Sequence, residues 1–206
     1  MNNRALLIDL DGVIRRWPSN NTELEDRFGL PLGVIRSTAF EPTLVDRAIT
    51  GRISDEQWRD IVADQLQDAY PRSQAYEAIA AWSQPSGQID HEVLNTVRAA
   101  RQQGVFVVLV TNATSRLEAD LAALNVKDEF NAIVNSSCVG VAKPAEGIFL
   151  TAIEAAQVTA SEAVFVDDQL INVNGAQSIG IRSHHFQGIA MLKQYLAAEW
   201  NSRGAA

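Results

Sequence analysis

Apolar positions fall in two patterns along this chain. Short unbroken runs rich in Val, Ile and Phe occupy 5–10, 105–110, 132–135 and 163–166, and a fifth lies at 181–186. Runs without alternation suit strands buried on both faces, as in a parallel sheet covered by helices. The stretches between them have helical spacing. One helix is expected to open after Asp90 as N-cap, to turn Val93, Leu94 and Val97 inward, and to stop at Gly104. Another is expected to open at Thr114 with Leu117, Leu121 and Leu124 on one face. A last amphipathic helix covers 189–200, and 201–206 reads as a frayed tail. Strand and helix in alternation predict an α/β fold, a doubly wound, Rossmann-like parallel sheet with the fifth run closing one edge.

Between Val13 and Ser86 the pattern changes: strand signals vanish and helical segments follow one another. Pro31 and Pro42 stand where first helical turns would begin, and Ser54 with Gln57 forms a capping-box pattern ahead of Trp58, Ile61, Val62 and Leu66. A crossover of this length is far more than a βαβ unit needs. The expected organisation is a core from 1–13 and 87–206, with a helical insert at 14–86 lying over the sheet as a cap.

Composition narrows the partners. A formal charge of −8 repels nucleic acid and anionic membranes, so neither is an expected partner. The apolar run near the N-terminus is too short for a signal peptide, and no stretch approaches the roughly 20 apolar residues of a membrane helix. Cys138 is the one cysteine, which leaves no intramolecular disulfide and no thiolate zinc site. A cytoplasmic location is expected.

Four short motifs stand at strand ends or helix starts. Asp9-Leu10-Asp11-Gly12-Val13 follows the first run, putting two carboxylates where open α/β sheets bind ligands. Acids so close do not both ionise easily, which suits a nucleophile beside a proton donor. Thr111-Asn112 follows the second run with a hydroxyl and backbone N–H groups able to hold phosphoryl oxygens. Lys143-Pro144 puts a cation just before an expected first helical position, in a chain with only two other lysines, Lys127 and Lys193. Asp167-Asp168 ends another buried run, with Asn172 beyond it, and paired acids favour a hard cation such as Mg2+. Each motif alone has a plain structural explanation as an acidic turn, a helix cap or a solvated lysine. Their order carries the weight.

That order resembles the four motifs of the haloacid dehalogenase superfamily of hydrolases, most of which are phosphatases: DLDGV at 9–13, TN at 111–112, the KPxxxIF pattern from Lys143 to Phe149, and DDxxxN from Asp167 to Asn172. The insert also stands where this superfamily places a helical cap. The resemblance implies a Mg2+-dependent phosphohydrolase acting on a small phosphorylated metabolite. By the same resemblance Asp9 is the nucleophile that forms an aspartyl-phosphate, and Asp11 is general acid and then base. Thr111, Asn112 and Lys143 hold the phosphoryl group. The metal lies on the Asp9 carboxylate, the Asp11 backbone carbonyl and Asp168, with Asp167 acting through water. Val13 stands where Thr is frequent and Ala145 where Asp is usual, the latter expected to loosen the packing that fixes Lys143.

Substrate choice is expected from the cap and its first hinge, with Arg15, Arg16, Trp17, Phe40, Arg47 and Arg52 as candidates; the plainer alternative makes the aromatics packing and the arginines solvated. Trp58 and Trp82 fall on apolar helical faces and read as packing, and His91, His184 and His185 receive no role. Within the fold, a dehalogenase would need neither Asp11 nor the acid pair, because halide leaves without a proton. A phosphonoacetaldehyde-type hydrolase would require a cap lysine, and Val13 to Pro85 contains none. A sugar-phosphate mutase shares the same machinery. A phospho-aspartate signalling receiver differs in motif order and lacks such an insert.

Overall fold

A computed structural model describes residues 4–17 and 21–201. Its centre is a five-stranded parallel sheet built from β1 (Ala5–Ile8), β4 (Phe106–Thr111), β5 (Ala132–Asn135), β6 (Ala163–Asp167) and β7 (Arg182–His185), in the order β5-β4-β1-β6-β7. Between the first two of these strands lie β2 (Arg15–Arg16), five helices and β3 (Gln88–Ile89). β2 and β3 pair antiparallel, so the chain leaves and re-enters the core through one short ribbon. The helices are α1 (Asn21–Arg27), α2 (Val34–Ala39), α3 (Pro42–Ile49), α4 (Asp55–Gln67) and α5 (Arg72–Trp82). The core adds α6 (His91–Gln102), α7 (Leu117–Ala123), α8 (Ser136–Val139), α9 (Glu146–Ala156), α10 (Leu170–Ser178) and α11 (Ile189–Asn201).

The unbroken apolar runs become strands because both sheet faces are covered. Leu6, Ile8, Val107 and Leu109 face one side with Val93, Leu94 and Val97 of α6 and Leu192 and Leu196 of α11. Ala5, Leu7, Val108 and Val110 face the other with Ile148, Phe149 and Ala152 of α9. The period of two along each strand sends alternate side chains to opposite layers. Phe149 and Phe165 meet edge to face at 5.2 Å, a geometry worth about 0.5–1.5 kcal/mol beyond area burial. The insert has its own apolar cluster, in which Ile35, Leu44, Trp58, Val62, Leu66 and Ile79 are buried together.

Several local expectations hold at the level of single bonds. Asp90 caps α6 through Glu92 and Val93 N–H groups, and Ser54 and Gln57 form the reciprocal capping box of α4. Pro42 opens α3, capped by Glu41. Pro31, by contrast, lies in a turn three residues before α2, whose N-terminus is instead held by the buried Glu25 carboxylate on the N–H groups of Gly33 and Ile35. The helix expected from Thr114 begins at Leu117, since Thr114 and Ser115 side chains reach across to the insert. Pro144 precedes α9 by two residues, and the N-cap is Ala145. The first strand ends at Ile8, so both acids of the first motif lie past it in the turn. The tail at 202–206 lies outside the described residues. Among the described residues no helix is long and apolar enough to cross a membrane.

Candidate active site

In the order β5-β4-β1-β6-β7 the strands are all parallel but their sequence order reverses about β1, and ligands of such sheets bind outside the carboxyl ends of the strands at that point. The first motif lies there. Asp9 N–H extends the ladder by bonding Val166 O at 2.9 Å, after which the chain curls: Ile14 and Arg15 N–H groups both return to Leu10 O, and Gly12 N–H bonds Arg15 O. Gly12 has φ +82°, and a Cβ there would lie 2.2 Å from Oδ2 of Asp168. Only glycine satisfies both the left-handed backbone and this close approach.

Lys143 ties three motifs together. Its buried ammonium lies 2.7 Å from Asp9 Oδ1, 2.7 Å from Asp167 Oδ2 and 2.8 Å from Val110 O. Asn112 holds the backbone that carries it, accepting from Lys143 N–H at 2.8 Å and donating to Lys143 O at 2.9 Å. This clamp engages Oδ1 and one Nδ2–H of the Asn112 amide with the Lys143 backbone. Thr111 is buried at the end of β4, with no hydrogen bond to its hydroxyl among the described residues. Asp167 is fully buried and also accepts from Gln169 N–H at 2.8 Å and Asn172 Nδ2 at 3.0 Å. His185, paired in register with Asp167, puts Nε2 3.0 Å from Asp168 O.

The carboxylates of Asp9, Asp167 and Asp168 offer oxygens within 4.8 Å of one another. Three acids against one ammonium leave an uncompensated charge of −2 when all are ionised. Hard oxygen donors with that surplus fit a divalent cation such as Mg2+. Burial pushes the Asp9 carboxyl up to about 7; Lys143 opposes this, while Asp167 and Asp11 add to it. Burial pulls on the Lys143 ammonium in the opposite sense, but Asp9 and Asp167 together outweigh burial and hold it above its ordinary value. The two directions are compatible because the lysine faces two acids whereas Asp9 faces one lysine and further acids. Asp168 is also raised, by burial and then by Asp167.

Asp11 points elsewhere. Arg15 grips it with two bonds, Nε to Oδ1 at 2.7 Å and Nη2 to Oδ2 at 2.9 Å, and Trp17 Nε1 donates to Oδ1 at 2.8 Å. Arg15 is buried and its Nη1 reaches Asp120 at 3.1 Å. Asp120 in turn pairs with Arg116 at 2.8 Å, which donates to Ser83 O at the end of α5. A second link joins insert to core where Thr114 Oγ1 donates to Asp55 at 2.7 Å and Asp55 N–H bonds Ser115 Oγ at 2.9 Å. Gly51, φ +72°, seats the turn after α3 against α8: a Cβ there would lie 2.0 Å from Ser137 O.

Of the substrate candidates, Arg15 is thus buried and committed to two acids. Arg16 pairs with Asp90, and Arg52 with Asp46 at 3.1 Å in the open. Arg47 is half-buried and without an ion-pair partner among the described residues. Phe40 lies edge-on to Trp58 and Trp82, which pack as expected. Trp17 is 48% exposed. A cleft of about 510 Å³ separates α3 residues Asp46 and Ile49 from the Gly140–Ala145 segment that carries Lys143. A similar hollow of about 480 Å³ by Arg98 and Phe106 lies at the opposite end of β4, away from the acids. Sequence reasoning missed His185, Asp120, Arg116 and Asp55, none of which belongs to a motif.

A family model for haloacid dehalogenase-like hydrolases matches residues 4–180. The mouse protein (Mus musculus) called haloacid dehalogenase-like hydrolase domain-containing protein 3 is 30% identical over 141 residues, 65% of this chain and 56% of that protein. The chain therefore spans little more than half the length of that relative. The sesquiterpene phosphatase astK of Aspergillus oryzae is 27% identical over 187 residues, covering 88% of this chain and 89% of its own. In fold, a haloacid dehalogenase family enzyme of Bacteroides thetaiotaomicron, crystallised with magnesium and inorganic phosphate, superposes with a TM-score of 0.68 at 23% identity, over 88% of this chain and 92% of that one. On the family match across most of its length, the chain belongs to the haloacid dehalogenase-like hydrolases.

Proposed function

We propose that the chain is a Mg2+-dependent phosphomonoesterase that cleaves a small phosphorylated metabolite through an aspartyl-phosphate on Asp9. The observation that carries this reading is the buried Lys143 ammonium 2.7 Å from both Asp9 and Asp167, inside a carboxylate cluster with Asp168. Lys143 occupies one oxygen of Asp9, and an oxygen of that carboxylate attacks phosphorus. The bond to the leaving oxygen breaks, and Asp11 supplies the proton that makes it an alcohol. In the second half, Asp11 takes a proton from water as the water oxygen attacks phosphorus, and the acyl-phosphate bond breaks to release phosphate and free Asp9. For the first step Asp11 must exchange part of its grip on Arg15 and Trp17 for the leaving oxygen.

Thr111 and the backbone at Asn112 hold phosphoryl oxygens, and Lys143 offsets their charge. Asp9, Asp167, Asp168 and the Asp11 carbonyl would hold Mg2+, which would supply positive charge against the surplus carboxylate charge that repels a phosphate dianion. The helical insert acts as a cap that excludes water and contacts the substrate. A relative named as a sesquiterpene phosphatase and a neighbour crystallised with magnesium and phosphate are in keeping with this assignment. The net charge and the lone exposed Cys138 suit a cytoplasmic enzyme of small molecules. The test is turnover of aryl and alkyl phosphates with Mg2+ and after chelation. Phosphate release that vanishes with EDTA and returns with Mg2+ is expected, and full activity in metal-free buffer would overturn the proposal.

A further inference from the structure

If Asp11 protonates the leaving oxygen, the rest of the leaving group must lie beside whatever surrounds that carboxylate. Two side chains do. Arg15 is buried, with Nε and Nη2 on Asp11 and Nη1 on Asp120 and Ser86 O, so it has no surface to offer. Trp17 is different: its Nε1 is 2.8 Å from Asp11 Oδ1, the Arg15 guanidinium lies 4.5 Å from its ring centre, and 48% of the residue is open. An alcohol oxygen within hydrogen-bond reach of Asp11, about 3 Å, brings the atoms beyond it against that open indole.

The charges around this point are already matched. Asp11 and Asp120 face Arg15 and Arg116, two acids to two guanidinium groups, and Arg16 nearby is taken by Asp90. Among the described residues, the cations bonded around Asp11 and its neighbours, Arg15, Arg16 and Arg116, each already face an acid, so a leaving group placed on Trp17 meets an aromatic surface beside paired cations. Aromatic faces reward planar or apolar partners. A carboxylate or second phosphate there would be desolvated without a counter-charge.

We infer that Trp17 is the specificity-determining contact for the leaving group, and that the preferred substrate is the monophosphate of an alcohol with a planar or apolar face and no second anionic group. The inference rests on the phosphomonoesterase reading and names its substrate class. It also sets Trp17 apart from the other candidates, since it alone among them is both open and bonded to the acid.

The test is steady-state kinetics with Mg2+ on phenyl phosphate, glycerol 3-phosphate and phosphoglycolate, using wild type, Trp17→Phe and Trp17→Ala. Wild type is expected to have its lowest KM for phenyl phosphate and its highest for phosphoglycolate. In Trp17→Ala the KM advantage of phenyl phosphate over glycerol 3-phosphate should fall about tenfold, whereas Trp17→Phe, which keeps a ring, should retain most of it. An unchanged KM ratio in Trp17→Ala, or a wild-type preference for phosphoglycolate, overturns the inference while leaving the phosphomonoesterase standing. Absence of Mg2+-dependent turnover by wild type on all three substrates overturns both.

Discussion

Replacing Asp9 by asparagine should make the metal-free protein more stable at alkaline pH. Burial raises the Asp9 carboxyl from 3.8 to about 7 despite the lysine beside it. Folding therefore favours the protonated acid, and that contribution is fully present below pH 3.8 and is lost as pH rises through 7. With these two values, linkage weakens wild type by about 3 kcal/mol between pH 5 and pH 8. Asn mimics the neutral acid, so Asp9→Asn should match wild type only below about pH 4, and its advantage should grow by about 3 kcal/mol between pH 5 and pH 8. For a chain of this size a change of that magnitude is about 6–12 °C in Tm. Denaturant and thermal melts of both proteins in EDTA across pH 5–8 measure it. His184 titrates in both proteins and drops out of the comparison. Addition of Mg2+ at pH 8 should stabilise wild type and narrow the gap. An Asp9→Asn protein less stable than wild type at pH 8 without metal would mean that the Lys143 ion pair outweighs lost hydration, and the reasoning would fail.

Two further substitutions test the local geometry. Gly12→Ala puts a methyl 2.2 Å from Asp168 Oδ2 on a backbone with φ +82°; the Mg2+ concentration for half-maximal activity should rise about tenfold or more, and an unchanged Mg2+ titration would show that Asp168 does not hold the ion. Ala145→Asp supplies the missing side-chain cap of α9; stability should rise by about 1 kcal/mol, roughly 2–4 °C in Tm, and no gain would argue against the cap geometry.

What could be read from the sequence was whatever is encoded locally. Runs such as Val107–Val110 and Val164–Val166 are strands because both faces are buried, and continuous apolarity records that directly. The caps at Asp90 and Ser54 are contacts within three residues and were equally legible. The helix expected from Thr114 was misplaced because its hydroxyl is bonded to Asp55, 59 residues away. The same holds at the site. The four motifs carry their own spacing, and the structure brings Asp9, Lys143, Asp167 and Asp168 together. The partners of Asp11 are distributed otherwise: Arg15 is four residues on but reads as a hinge arginine, while Asp120 is 105 residues beyond Arg15 on a different element. His185 reaches Asp168 only through the β6–β7 register, which no local pattern encodes. Asn112 reads as a phosphate ligand, and its amide also bonds the backbone of Lys143, 31 residues away, which no local pattern encodes.

The central claim is that Asp9 becomes covalently phosphorylated, and it is tested most directly in Asp11→Asn protein incubated with Mg2+ and an aryl phosphate. A phenolate leaves with little need of a proton, whereas hydrolysis of the intermediate lacks its base, so phospho-enzyme should accumulate. Mass spectrometry after acid quench should find one phosphoryl group on the peptide containing Asp9, appearing with a burst of phenol. Wild-type turnover together with an Asp11→Asn protein that releases phenol without any adduct, or with the adduct on another residue, would contradict the account.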